Sequence, residues 1–269
     1  MRKLLFFLFS LILIFCSKIS IYAEEVISQK IPILLYHHIV PDSEGDFWKG
    51  NSAVITVSEF SAQMDYLHTN GFHTVSTKEL QDFLYRGKRL PQQSVMIHFD
   101  DGYYSNIEFA YPILREYGFK AQVFLITETT KGGQKPYTKN ALTFISEQSL
   151  ESTRDIFEYA SHSHDMHRDY ENGKKTIMAS SSKEDIIKDL QKSLSIVHNK
   201  KIFAYPKGQY NETIINALTK LEFLMAGTVE PGYVVQNSSF GFKLPRFIIP
   251  KDMSMQNFIK IVEGNYYNN

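Results

Sequence analysis

From Ile31 onward, short apolar runs alternate with stretches in which apolar residues recur every three or four positions. That is the pattern of strands followed by helices. Residues 31–36 read as a strand and 58–70 as a helix, with Phe60, Met64 and Leu67 on one face. The alternation continues with a strand over 94–99, a helical pattern over 106–117 closed by Gly118, and a strand over 121–126. A strand over 157–160, a helix over 183–197, a strand over 202–205, a helix over 211–221 and a strand over 223–226 extend it. Pro112 falls inside a helical pattern and is expected to kink it. Residues 131–139 and 170–182 read as surface loops. Such a succession predicts a parallel sheet with helices outside it, open or closed into a barrel.

Length and charge narrow this picture. The chain has 269 residues, which suits one large α/β domain plus an export segment. Its 29 basic residues balance 29 acidic ones, so net charge offers no reason to expect binding to nucleic acid or an anionic membrane. At the start, Arg2-Lys3 precede an apolar run over 4–15 and a polar stretch ending at Ala23, the pattern of a signal peptide. The run is too short to span a bilayer, which needs roughly 20 residues. The expected organisation is a signal peptide over 1–23 and a single domain over 24–269. Cys16, the only cysteine, falls within the export segment, and Leu13-Ile14-Phe15 before it lacks the small residue a lipid-modified cysteine needs. A mature chain without a thiol has no disulfide and no cysteine metal site.

Chemistry-bearing residues gather at predicted strand ends, where loops converge on a rigid sheet. The first cluster is His98-Phe99-Asp100-Asp101-Gly102, two adjacent carboxylates in a turn whose glycine permits a sharp change of direction. The second is Ser161-His162-Ser163-His164-Asp165-Met166-His167, with three of the nine histidines. Imidazole is the commonest protein metal ligand, and a strand end running into a loop can aim His162 and His167 at one ion. His164 is left as a third ligand, a supporting group or an exposed residue. The third cluster is Tyr36-His37-His38 at the end of the first run. An Asp-Asp-Gly helix-capping turn, a solvated polar loop and a hydrogen-bonded strand-end histidine are the ordinary alternatives.

Together these residues resemble the polysaccharide deacetylases of the NodB-homology type, carbohydrate esterase family 4. Phe99-Asp100-Asp101-Gly102 and Ser161-His162-Ser163 through His167 are similar to the first two motifs of that family, and Ala204-Tyr205-Pro206-Lys207-Gly208 to the third. The early Tyr36-His37, the five-residue step from His162 to His167 and the Tyr-Pro-x-Gly form look like the branch acting on poly-β-1,6-N-acetyl-D-glucosamine. The likeness runs from about Ile31 to about Ile249 and includes Phe60, Gln63, Met64, Leu67 and Leu244-Pro245-Arg246. Two features depart from it. His98 stands where the family usually has threonine, and no counterpart is found for the aspartate that often tunes the catalytic histidine.

The resemblance implies a single-domain α/β fold, a distorted β/α barrel of NodB type. It implies a metal held by Asp101, His162 and His167, with Asp100 as general base and His37 as general acid toward the leaving amine. A backbone amide near Tyr205 would help hold the oxyanion, and Tyr205, Pro206 and Tyr103 would contact sugar. Phe47 and Trp48 are further aromatic candidates. Zinc is the default ion, although two histidines and one carboxylate also suit ferrous iron, cobalt or nickel. The implied partner is an N-acetylglucosamine polysaccharide, met by a secreted or peripherally attached enzyme at the cell surface. The alternatives are a peptidoglycan N-acetylglucosamine deacetylase, a catalytically silent glycan-binding protein of the same fold, an acetyl-xylan esterase and a chitin deacetylase.

Overall fold

The computed structural model describes residues 30–170, 173–199, 201–236 and 241–267. The expected signal peptide and its boundary at Ala23 lie outside these residues. The first half of the chain forms β1 (Lys30–Tyr36), β2 (His38–Val40), β3 (Val54–Thr56), α1 (Val57–Thr69), β4 (His73–Thr74), α2 (Thr77–Arg86) and β5 (Ser94–Phe99). Then come α3 (Tyr111–Tyr117), β6 (Ala121–Leu125), β7 (Phe157–Ser161), α4 (Lys183–Val197), β8 (Ile202–Ala204), α5 (Glu212–Lys220) and β9 (Met225–Gly227). The chain finishes with β10 (Tyr233–Val235), β11 (Phe247–Ile248) and α6 (Met255–Val262).

Local signals set the helix ends. Thr56 with Glu59, and Ser76 with Glu79, form capping boxes that satisfy orphan amides at the starts of α1 and α2. The run over 106–117 is helical without a break, but it is not a regular α-helix throughout. A π-helical turn over Asn106–Ala110 precedes α3, whose first turn holds Pro112. The proline lacks an N–H and its ring crowds the carbonyl four residues back, so a regular α-helix cannot pass through it. The expected loop over 170–182 also contains a short helix, Ile177–Ser180, capped by Thr176.

The main sheet runs β10-β1-β5-β6-β7-β8-β9, with every pairing parallel except β1 with β10. It curls into a distorted half-barrel. The segment after β10 touches both ends of the curl: Leu244 bridges to Gly227 of β9, while Phe247 and Ile248 pair with Leu34 and Leu35 of β1. Alternation along the strands separates two layers. Leu34, Tyr36, Ile97 and Phe99 pack outward beneath α1, α3 and α6. Ile31, Ile33, Met96, Phe124, Ala160, Ala204 and Met225 line the concave side, where Leu80, Phe83 and Leu84 of α2 fill one end. Each such burial contributes roughly 1.5–3 kcal/mol, so α2 is held mainly by packing. A third cluster joins α4 and α5 to the outer side of β8 and β9 through Leu190, Phe203, Ile214 and Leu218. The end not filled by α2 is where the strands deliver the polar residues.

Candidate metal centre and active site

Three strand ends build the site. β5 ends at Phe99, and the amide of Asp100 donates to the carbonyl of Tyr36 at 3.0 Å, which ties the acidic turn to the end of β1. Asp101 then adopts φ 72° and Gly102 φ 74°. Two successive left-handed residues reverse the chain, so that neighbouring carboxylates face one pocket instead of opposite sides of the sheet. A Cβ at Gly102 would come within 2.6 Å of Leu125, so the glycine is needed for space as well as for its backbone angle.

His162 follows β7, and its Nδ1 donates to the carbonyl of Ala204 at the end of β8, 2.8 Å away. That bond leaves Nε2 as the free donor atom, the usual arrangement behind a ligating histidine. Asp101 Oδ1 stands 3.5 Å from His162 Nε2 and 3.3 Å from His167 Nε2. All three donor atoms lie within 4.8 Å of one another. Donors about 2.0–2.1 Å from a tetrahedral ion stand about 3.4 Å apart, so the set fits a single divalent cation. Burial, with His162 alongside, pushes His167 down to about 4, which keeps it a neutral donor at neutral pH.

Asp100 is held differently. Burial alone would raise its pKa, yet the Arg246 guanidinium outweighs that and holds the carboxyl well below the usual range. Arg246 Nη1 and Nη2 donate to the two Asp100 oxygens, each at 2.8 Å, and Nε donates to the carbonyl of Thr228 at 2.6 Å. The guanidinium is completely buried. It enters between β9 and β1, and the backbone beside it must be bare: a Cβ at Gly227 would lie 2.8 Å from Arg246 Nε. In the sequence this arginine belongs to the family likeness, within Leu244-Pro245-Arg246, but nothing there assigns it a role. A further signal is its position as a lone cation among Leu244, Phe247, Ile248 and Ile249.

His37 occupies the break between β1 and β2, half-buried, with its carbonyl accepting from Asn106 Nδ2 at 2.7 Å. Burial lowers its pKa, and Asp101 and Asp100 pull the other way, which places His37 within electrostatic reach of both carboxylates. Tyr103 hydrogen-bonds Asp101, and its ring lies 5.2 Å from that of His38. The residues expected at the site, Asp100, Asp101, His37, His162, His167 and Tyr103, therefore converge from three separate stretches of chain.

Comparison with known proteins follows the same lines. Residues 87–226 match the family model described as Polysaccharide deacetylase. The Bacillus subtilis protein YxkH is 32% identical over 237 residues, covering 87% of this chain and 77% of its own length. The chain belongs to the polysaccharide deacetylase family. A poly-beta-1,6-N-acetyl-D-glucosamine N-deacetylase of Staphylococcus aureus is 31% identical over 219 residues, covering 78% of this chain and 72% of its own length. Among solved structures, the Streptococcus pyogenes deacetylase PplD in complex with acetate superposes with a TM-score of 0.73 at 22% identity, over 87% of this chain and 98% of its own. That likeness shows the fold, a mixed α/β half-barrel. His37 and Arg246 lie outside the matched stretch of the deacetylase family model.

Several expected contributions are corrected by the geometry. Tyr205 is fully buried, with its hydroxyl donating to the carbonyl of Phe242 at 2.9 Å, and Pro206 is buried beside it, so neither side chain presents a face to a sugar. The Tyr205 amide is committed to the carbonyl of Gly227 at 3.1 Å, in the β8–β9 ladder, and so is not available to an oxyanion. His164 stands apart from the donor set, bonded to Thr127 Oγ1 at 3.0 Å and Glu128 Oε2 at 2.8 Å. Of the other aromatic candidates, Phe47 is exposed and stacks edge-on against Trp48, which in turn packs on His38. His98 lies wholly inside the curl against Phe124, with no hydrogen-bond partner for either ring nitrogen among the described residues.

These buried histidines give the deacetylase a pH signature. Burial holds His98 well below its ordinary value of 6.5 and His38 at about 4, so the folded protein keeps both neutral while the unfolded chain protonates them. A folded pKa below the unfolded one gives stability that is present above about 6.5 and lost as pH falls toward the folded value. Urea unfolding of the metal-free protein should therefore show stability falling between pH 6.5 and 4, by up to about 1.4 kcal/mol per pH unit for each such histidine. His98→Leu should flatten that slope; an unchanged slope would remove His98 from the account.

Proposed function

We propose that the chain is an exported, metal-dependent N-deacetylase that acts on an N-acetylglucosamine polysaccharide at the cell surface, with poly-β-1,6-N-acetyl-D-glucosamine as its substrate. The observation that carries this reading is the donor set of Asp101, His162 and His167 beside an ionised, arginine-held Asp100, with His37 within electrostatic reach of both carboxylates. The 31% identity to the staphylococcal enzyme, whose name states that substrate, supports the choice of polymer.

Hydrolysing an unactivated amide requires a polarised carbonyl, an activated water and a proton for the departing nitrogen. A divalent ion at the donor set, zinc by preference, would supply the Lewis acid. Asp100 accepts the proton of the attacking water, and Arg246 keeps it ionised to do so. His37 delivers a proton to the amine as the C–N bond breaks. Tyr103, bonded to Asp101, orients that carboxylate. The products are acetate and an amine that is largely cationic at neutral pH, so partial deacetylation turns a neutral glycan into one that adheres to anionic surfaces.

The decisive experiment is acetate release from defined β-1,6 and β-1,4 N-acetylglucosamine oligomers by the purified chain with zinc restored. Turnover of the β-1,6 series is expected; release from the β-1,4 series alone would point to a different polymer. The same assay separates acid from base. His37→Ala should slow the oligomer far more than an activated acetate ester, whose leaving group needs no proton. Equal slowing of both, with metal content unchanged, would show that His37 is not the proton donor.

A further inference from the structure

The two ligating histidines are joined by a loop rather than by a helix, so their separation depends on the path of residues 163–166. That path starts with Ser163 at φ 75°, a left-handed conformation held without a glycine. On one side the loop rests on the turn after β6: the amides of Thr127 and Glu128 donate to the carbonyls of Ser163 and His164 at 3.1 and 3.0 Å. The His164 ring, through Thr127 and Glu128, fastens the same side. On the other side stands Asp189, on the inner face of α4 and 7% exposed. Its Oδ2 accepts from the amide of His164 at 2.7 Å and its Oδ1 from the amide of Asp165 at 2.9 Å. One turn further along α4, Ser193 Oγ meets Ser161 Oγ at 2.7 Å.

We propose that Asp189 is a positioning residue for the metal centre: its carboxylate grips the two amides midway between His162 and His167 and so sets the distance between the ligands before any ion arrives. A carboxylate is suited to this because both oxygens accept, whereas an amide of the same shape would turn an N–H against one of the donors. The inference rests on the metal-site reading above. It adds that the spacing of the ligands is fixed by a helix that contributes no ligand.

The test is zinc affinity of the purified chain, measured by competition with a chelator, which needs no substrate. Asp189→Asn is expected to bind zinc about 10–100-fold more weakly, the usual scale for losing a supporting partner of a ligand. At saturating zinc it should recover kcat with KM unmoved. Ser193→Ala, which loosens the same helix contact without freeing the two amides, should keep wild-type affinity. A folded Asp189→Asn protein with wild-type zinc affinity overturns the proposal while leaving the metal site intact. Equal binding by wild type and His162→Ala would instead sink the metal-site reading itself, and this proposal with it. Hydrogen exchange on the metal-free wild-type chain gives an independent check: the amides of His164 and Asp165 should be protected like those of β7, and exchange at open-loop rates would refute a preformed brace.

Discussion

Arg246→Met is expected to cost about 3–5 kcal/mol of stability, the scale for removing one partner of a buried ion pair. The loss comes less from the missing bonds than from what remains, an Asp100 carboxylate 3% exposed with no cation against it. The double variant Arg246→Met with Asp100→Asn should recover much of that loss, because a neutral amide needs no counter-ion. Asp100→Asn alone leaves the buried Arg246 guanidinium unpaired and so should also lose stability, while keeping the ion and turning over at least about a hundredfold more slowly, the scale of general-base catalysis. Urea unfolding of the three variants beside wild type closes the cycle. If the double variant is as unstable as the sum of the single ones, Arg246 acts by filling space and not by charge.

His162→Ala should abolish metal retention and deacetylation together, with a fall in turnover on the order of a thousandfold, as several kcal/mol of charge stabilisation disappear. Its Nε2 is one of three donors, and its Nδ1 bond to Ala204 leaves the ring no second orientation. His164→Ala should keep the ion, since that ring faces Thr127 and Glu128. Elemental analysis of the folded variants decides the matter. Full occupancy in His162→Ala would overturn the ligand assignment, and loss of the ion in His164→Ala would put that residue back at the metal.

The parts of this protein that sequence revealed are those whose cause is local. The helix over 183–197 agrees with α4 because its apolar period and capping serine are both contiguous. The donors Asp101, His162 and His167 stood out because strand ends concentrate chemistry. The capping box Ser76–Glu79 and the spacing of Leu80, Phe83 and Leu84 make α2 equally local, and it is absent from the elements expected above. What stayed hidden depends on distance along the chain. Arg246 meets Asp100 across 146 positions, and Asp189 meets the ligand loop across 25; neither pairing leaves a periodic trace. Tyr205 misled for another reason. β8 is only three residues long, too short for its alternation to show which face the next aromatic takes.

Because the cation that makes Asp100 tolerable inside the half-barrel follows β9 in the chain, the order of synthesis bears on when the site can close. A ribosome that has passed β9 has already made both carboxylates and the three candidate metal donors, but not Arg246. Up to that point, drawing Asp100 into the interior means burying an unpaired carboxylate or protonating it, and either costs free energy. Under the proposed export, a counter-ion made after β9 would favour threading before closure.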